Sequence, residues 1–199
     1  MWDKRYDTDE YIHGTDPNHF LVSVADRIPR GGKVLSLGEG EGRNAVYLAK
    51  LGYSVTAVDQ SAVGLKKAER MAVDNGVAIK TIVSDLAGFR IEPEAWDAVF
   101  SFFCHLDRDV RRRIFGQAAR GLKPGGVFIL EAFTPHQLKY DTGGPRTADL
   151  MMTVLDLKDE LKGLEFPRVV ELEREVREGA HHKGKAAVVQ ILGMKPLRD

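Results

Sequence analysis

The sequence predicts an α/β fold: a mostly parallel sheet with helices on both faces, closed by an antiparallel β-hairpin. Three observations carry this. A glycine loop, Gly38-Glu39-Gly40-Glu41-Gly42, joins an apolar run, Val34-Leu35-Ser36-Leu37, to a helical pattern, Arg43 to Ala49. An acid, Asp59, stands at the end of a second apolar run, Val55-Thr56-Ala57-Val58. Further near-continuous apolar runs alternate with helical segments, as strands buried on both faces require. Strand, glycine loop, helix, strand and acid make half of a nucleotide-binding α/β unit.

The elements follow in order. An N-terminal segment with one helix runs to about Ile28. The first strand is Lys33–Leu37, followed by a helix from about Gly42 to Leu51 and a strand over Ser54–Val58. Ser61 is placed to cap the next helix, in which Leu65, Ala68 and Ala72 recur at helical spacing and Gly76 provides the stop. Strands are expected at Ile79–Ser84 and Trp96–Phe103. A helix from about Arg108 to Gly121 ends at Lys123-Pro124-Gly125-Gly126, a turn signal, before a strand over Val127–Phe133. Gly143-Gly144-Pro145 reads as a loop and Leu155–Leu164 as a helix. Arg168–Arg177 and Ala186–Met194 read as the two strands of the hairpin. No repeat or low-complexity segment interrupts this order.

The chain has 199 residues, enough for one domain with a core, so 1–199 is taken as a single domain. Its 29 basic and 29 acidic residues balance, which argues against a nucleic-acid partner. Arg111-Arg112-Arg113 is expected on a solvated helix face beside Asp107 and Asp109. A single cysteine, Cys104, excludes an internal disulfide and fits a reducing compartment, so a cytoplasmic location is expected. The polar start and the lack of a long apolar run predict neither signal peptide nor membrane span. No heptad or apolar surface stripe stands out, and the expected state is a monomer or weak homodimer.

The glycine spacing narrows the ligand. A dinucleotide fingerprint needs G-x-G-x-x-G, and Arg43 stands where its third glycine belongs. An NAD-dependent oxidoreductase is therefore disfavoured. Asp59 is placed to accept from both ribose hydroxyls; the competing role is a cap ahead of Ser61. Gln60 follows it toward the base. In the strand 168–177, residues two apart share a face. Arg174 therefore sits among Val170, Leu172 and Val176, and must either pair internally or meet an anion in a site.

The spacing G-x-G-x-G, with Asp59 after the second strand, resembles motif I of the class I S-adenosylmethionine (SAM) methyltransferases. Val34 to Asn44, the pair Asp85-Leu86 and Leu122-Lys123-Pro124-Gly125-Gly126 look like the tellurite-resistance group, with the thiopurine S-methyltransferases as a neighbour. The resemblance runs over nearly the whole chain from Val34. It implies a seven-stranded, Rossmann-like sheet, SAM as cofactor and S-adenosylhomocysteine (SAH) as product. It implies a cofactor lid over 1–28, a SAM-binding half over 33–133 and an acceptor side with the hairpin over 134–199. Cofactor contacts are expected from Gly38, Glu39, Gly40, Gly42, Arg43 and Asn44 in the loop and helix start. Asp59, Gln60 and Ser61 follow on the ribose side. Asp85 is expected at the adenine amino group, or in a turn of its own, with the Leu86 N–H at a ring nitrogen. Ser101 and Phe102 end the fourth strand, and Tyr11 belongs to the lid.

The resemblance also places an anion-handling arginine, Arg174, in the catalytic set. His105 is the candidate general base, against a plain helix-start role. Phe102 and Phe103 are candidates to wall the reacting methyl group from water, and Thr134–Tyr140 to form the acceptor side. Cys104 reads as a buried, inert thiol. No metal site is expected, and the adjacent His181 and His182 would diverge on a strand. One departure stands out: most class I enzymes carry an acid at the position of Ser36. Glu39 or Glu41 is a candidate to replace it at the methionyl ammonium. The implied reaction is in-line methyl transfer to a small soft nucleophile, a tellurite- or selenite-type oxyanion or a thiol, which needs no protein base. A SAM-binding module without catalysis is the alternative that Ser36 leaves open.

Overall fold

The computed structural model describes residues 2–179 and 183–198. Seven strands form one sheet: β1 Lys33–Leu37, β2 Ser54–Asp59, β3 Lys80–Val83, β4 Trp96–Phe102, β5 Leu122–Phe133, β6 Glu165–Arg177 and β7 Lys183–Met194. Their order is β3-β2-β1-β4-β5-β7-β6. The first five pair in parallel, while β7 runs antiparallel to both β5 and β6. The fold is thus the seven-stranded, mostly parallel Rossmann-like sheet with the expected hairpin. The direction of winding reverses between β1 and β4, and ligands in such sheets bind outside the carboxyl ends of the strands at that point. The glycine loop leaves β1 there.

Alternation within the strands builds both layers. Leu35, Leu37, Val99 and Phe128 face one side and pack with Ile114, Phe115 and Ala118 of α5 (Arg108–Gly121) and Leu157 of α6 (Val154–Glu160). Val34, Ala98, Phe100 and Ile129 face the other. They meet Phe20 and Leu21 of α2 (His19–Val24), Leu48 of α3 (Arg43–Lys50) and Leu65 of α4 (Ala62–Asp74). Successive strand residues point to opposite faces, so each run feeds two cores. The chain begins with a short helix, α1 (Trp2–Tyr6), where one helix was expected before Ile28 and two are found.

Three expectations need correction. Lys123-Pro124-Gly125-Gly126 is no separate turn: α5 passes straight into β5 at Leu122, and the four residues form a bulge between the Trp96–Leu122 and Ala98–Val127 pairs. Lys195 covers it, the Gly125 N–H donating to the Lys195 carbonyl and the Lys195 N–H to that of Gly126, both at 2.9 Å. Nor are all three arginines of α5 solvated. Arg111 is about 1% exposed and makes a bidentate pair with Glu160, because it shares the inward stripe of Ile114, Phe115 and Ala118. Arg112 stays exposed, and Arg113 donates to the carbonyls of Phe89 and Leu86. Finally, α6 ends at Glu160, ahead of a turn into β6. His181 and His182 lie outside the described residues.

Candidate cofactor site

A cavity of about 700 Å³ opens at the carboxyl ends of β1, β2 and β4. Its floor is the glycine loop. Gly38 has φ +70°, and a Cβ there would collide with the Cys104 side chain. Gly42 has φ +100°, and its Cβ would lie 2.6 Å from Ala68 of α4. Only glycine lets the loop pass under a ligand and dock α3 on α4 at once.

The loop's two acids have separate places. Glu39 accepts from the Ser36 hydroxyl and from the Ala45 N–H at 2.9 Å. Burial pushes its carboxyl up to about 7, against the pull of Ser36, the Ala45 N–H and Arg43. It borders the cavity directly beside the position where an acid was missing. Glu41 instead pairs with Lys67 of α4 at 2.5 Å. The structure thus puts Glu39, not Glu41, next to Ser36.

Asp59 ends β2 and is buried at the cavity edge. Its two oxygens accept from the Gly40 N–H at 2.9 Å and the Ser61 N–H at 2.8 Å, and each keeps further acceptor capacity. Burial raises its carboxyl above the ordinary range despite these bonds. Gln60 follows on the rim. Asp85 and Leu86 line the far end, where Asp85 also accepts from the Ala87 N–H at 2.8 Å, the turn-forming role weighed against a ligand. Arg43 and Asn44 open α3. Arg43 borders the cavity, is about 8% exposed and pairs with Glu178 at 2.5 Å through Nη2, while its Nη1 is buried without a hydrogen-bond partner.

Phe102, Phe103, Cys104 and His105 form the wall after β4. Phe103 has φ +49°, uncommon for a bulky residue, and this turn swings Cys104 and His105 over the loop. The His105 ring stacks on Phe133, centroids 5.7 Å apart. Burial pushes the Cys104 thiol up to about 12, with Asp59 adding to it, so the group stays protonated. The roof is α1. Trp2 and Tyr6 stack at 5.4 Å, and Tyr6 seats against the glycine loop. Among the described residues no group of three or more His, Cys, Asp or Glu is placed to hold a metal.

Several expected contributors lie elsewhere. Tyr11 points away: its hydroxyl donates to the Lys67 carbonyl at 3.2 Å, since its ring packs over the Lys67 ammonium. Ser61 caps α4 by accepting from the Gly64 N–H, and donates to Asp3. Ser101 is buried under Cys104. Gly40 and Gly42 shape the loop without lining the cavity. Arg174 meets no open site but pairs internally, with Glu131 and with Glu178 at 2.9 Å. Asn18 and Gln190 complete this buried network on the same carboxylates. Of the two fates open to a cation on that face, internal pairing is the one realised. Against burial, which alone would raise it, Arg43 and Arg174 hold the Glu178 carboxyl below its ordinary range.

The acceptor-side loop is displaced too. Gly143, Pro145, Arg146 and Leu150 reach the main cavity, while 137–140 line a smaller neighbour of about 330 Å³. Gln137 is buried and donates to Thr142 and the Gly143 carbonyl, tying the segment back to β7. Sequence reasoning considered Glu41 only for the methionyl ammonium, and missed Lys67 and Glu178 as parts of the site's frame. Lys67 had a signal: it falls on the buried stripe Gly64, Lys67, Met71 of α4, where a lysine needs a partner.

The residues fit SAM. The Glu39 carboxyl suits an ammonium, the buried, unpartnered Arg43 Nη1 a carboxylate, and Asp59 a ribose diol. Comparison with known proteins agrees. Residues 34–126 match the family described as a methyltransferase domain. Dimethylglycine N-methyltransferase of Parasynechococcus marenigrum (strain WH8102) is 36% identical over 115 residues, covering 56% of this chain and 41% of that protein. The probable SAM-dependent methyltransferase TehB of Haemophilus influenzae is 30% identical over 131 residues, 65% of this chain and 43% of TehB. The chain thus spans under half the length of these curated relatives. The crystal structure of TehB superposes with TM-score 0.73 at 25% identity, covering 98% of this chain and 65% of that one. A structure described by the conversion of a disulfide bond into a thioacetal group during echinomycin biosynthesis has TM-score 0.79 at 18% identity, covering 100% of this chain and 91% of the other, and shares the fold. The domain match over residues 34–126, the likeness to TehB and the shared fold make this chain similar to the class I SAM-dependent methyltransferases, the TehB group among them.

Proposed function

We infer that the protein transfers a methyl group from SAM to a small soft nucleophile, an oxyanion of tellurium or selenium or a thiol. The observation that carries the SAM half is Glu39: a half-buried, hydroxyl-anchored carboxyl on the cavity floor, supplied one turn of loop away from the missing acid. It takes the role of Ser36's usual acid, so Ser36 does not argue for a non-catalytic module. Arg43 would hold the methionyl carboxylate through Nη1, Asp59 the ribose, and Asp85 with the Leu86 N–H the adenine. When bound, SAM supplies a methyl group on a positively charged sulfur.

The chain's own contribution on the acceptor side is a wall more than a base. Phe102 and Phe103 exclude water, which strengthens electrostatics inside. Cys104 stays a thiol and offers no nucleophile. His105 borders the cavity from the stacked ring of Phe133, where it orients the acceptor. A soft acceptor that is already ionised needs no proton removed, and this is what favours it over a hydroxyl. The likeness to TehB supports the same class. The balanced charge supports a small molecule over a nucleic acid as partner.

Methyl transfer from labelled SAM to tellurite, selenite, a thiopurine, simple thiols, dimethylglycine and a phenol tests the reading. Label on the chalcogen or thiol members is the expected result. Label on dimethylglycine alone would move the acceptor to small amines, the substrate class of another relative. Turnover confined to the phenol, and lost in His105→Ala, would overturn the soft-nucleophile reading.

A further inference from the structure

The N-terminal segment is held over the cavity from a single buried ammonium. Lys67 of α4 is about 7% exposed, yet it lies on a helix that packs against the sheet. Its Nζ donates to the Glu10 carbonyl at 2.6 Å and the Thr8 carbonyl at 3.0 Å, with the Tyr6 carbonyl at 3.4 Å. The fourth partner is the Glu41 carboxylate at 2.5 Å. Glu41 in turn accepts from the His13 N–H at 3.4 Å through its other oxygen. The segment from Tyr6 to His13 therefore wraps one lysine, and the counter-charge of that lysine belongs to the glycine loop itself.

Nothing else in the segment explains such an investment of buried charge. Residues 7 to 10 are exposed and supply only backbone oxygens to the contact. Burying a lysine is costly unless it is paired and hydrogen-bonded. Here the carboxylate belongs to the loop and the carbonyls to the lid, so the full set of partners exists only while the lid is docked. Docking also seats Tyr6: a Cβ on Gly64 would lie 2.9 Å from its ring, and one on Gly40 2.8 Å from its hydroxyl. Asp3 adds a peripheral tie, accepting from the Ser61 hydroxyl at 2.6 Å and the Val63 N–H at 3.2 Å.

We propose that Lys67 is the clasp of the cofactor lid and, through Glu41, couples the position of the glycine loop to closure of residues 2–13. Lys67 is a positioning residue: it lines no part of the cavity and acts by holding Tyr6 and Trp2 above it. Opening the lid requires the ammonium to give up its carbonyls, and that sets how fast ligand leaves. The release-rate part rests on the SAM reading; the docking part does not.

Two readouts keep these separate. The first is limited trypsinolysis of ligand-free protein at the Arg5–Tyr6 bond, which the docked lid protects because Tyr6 is buried. Lys67→Met should speed that cleavage by roughly tenfold or more, as loss of a buried charged contact predicts. The second is the dissociation rate of SAH by stopped flow, expected to rise by a similar factor with a smaller change in association. Glu41→Gln, which keeps the shape and removes the charge, should move both in the same direction and serves if Lys67→Met fails to fold. Cleavage and release unchanged in a folded variant would overturn the clasp. Faster cleavage, with no SAH binding even in the wild type, would keep the clasp and sink the cofactor reading instead.

Discussion

Glu39→Gln separates two pH effects that have opposite signs. Burial raises the Glu39 carboxyl from an ordinary 4.5 to about 7. Between those values the native state holds a proton that the unfolded chain has lost. Stability of the ligand-free protein should therefore fall as pH rises from about 4.5 to 7, by 2.303RT per unit. The full shift corresponds to about 3 kcal/mol, and water entering through the cavity trims this to roughly 2–3 kcal/mol. The penalty is absent below the unfolded value and complete above the folded one. Ligand binding runs the other way. A methionyl ammonium needs the carboxylate, so SAM affinity should rise about tenfold per unit as pH approaches 7 from below, then level off. Calorimetry of SAM and SAH at a series of pH values, with denaturant melts at the same points, measures both. In Glu39→Gln both dependences should flatten, and affinity above about pH 7.5 should drop by one to two powers of ten, the worth of a charge-assisted bond. A wild-type affinity independent of pH, or a variant that keeps the wild-type profile, would refute the assignment of Glu39 to the ammonium.

Other expectations follow from the same geometry. Glu178→Gln leaves Arg43 and Arg174 under-compensated in a buried network and should cost about 3–5 kcal/mol in a denaturant melt. Because the two arginines depress Glu178, its stabilisation is present above about 4.5 and is lost as pH falls below it, which acid titration of wild type against the variant will read. Cys104→Ser should keep methyl transfer within about threefold, and the native thiol should resist alkylation until denaturant is added, since it stays protonated at neutral pH. Gly64→Ala should weaken SAH binding, because its methyl group would meet the Tyr6 ring at 2.9 Å and the Gly40 carbonyl of the glycine loop at 3.2 Å. Arg113→Met, which frees the Leu86 and Phe89 carbonyls, should weaken the adenosine part of the ligand most, read as lost discrimination between SAH and homocysteine.

Much of the fold was legible because it rests on local signals. Apolar runs and glycine stops report strand and helix directly, and β1, β2, α3, α5 and the hairpin fell within a few residues of their expected ends. The lapses were cases where a local signal had a non-local use. Lys-Pro-Gly-Gly signals a turn, but here the backbone continues as a bulged strand because Lys195 pairs with it from the far end of the chain. Three consecutive arginines look solvated until helix α6 brings Glu160 against the first of them. Asp59 arrives at the cavity because it is the last residue of β2 and a strand fixes where that residue points, while Asp85 follows two residues after the end of β3.

What the sequence alone determined was a floor: a glycine loop after β1 that only glycine can form, an acid after β2, and a single cysteine without a partner. These depend on backbone freedom and on residue type at fixed spacing. What only the tertiary structure decided was partnership. Arg174 turned inward because Glu131 and Glu178 meet it from other strands and loops. Arg43 was left with a buried Nη1 that no group accepts from, because Glu178 takes only Nη2. Glu39 and Glu41, two residues apart in one loop, took different tasks because Ser36 lies under one and Lys67 beside the other. Charge pairing acts over a few ångströms between segments far apart in the chain, and no local pattern records which segments the fold will bring together.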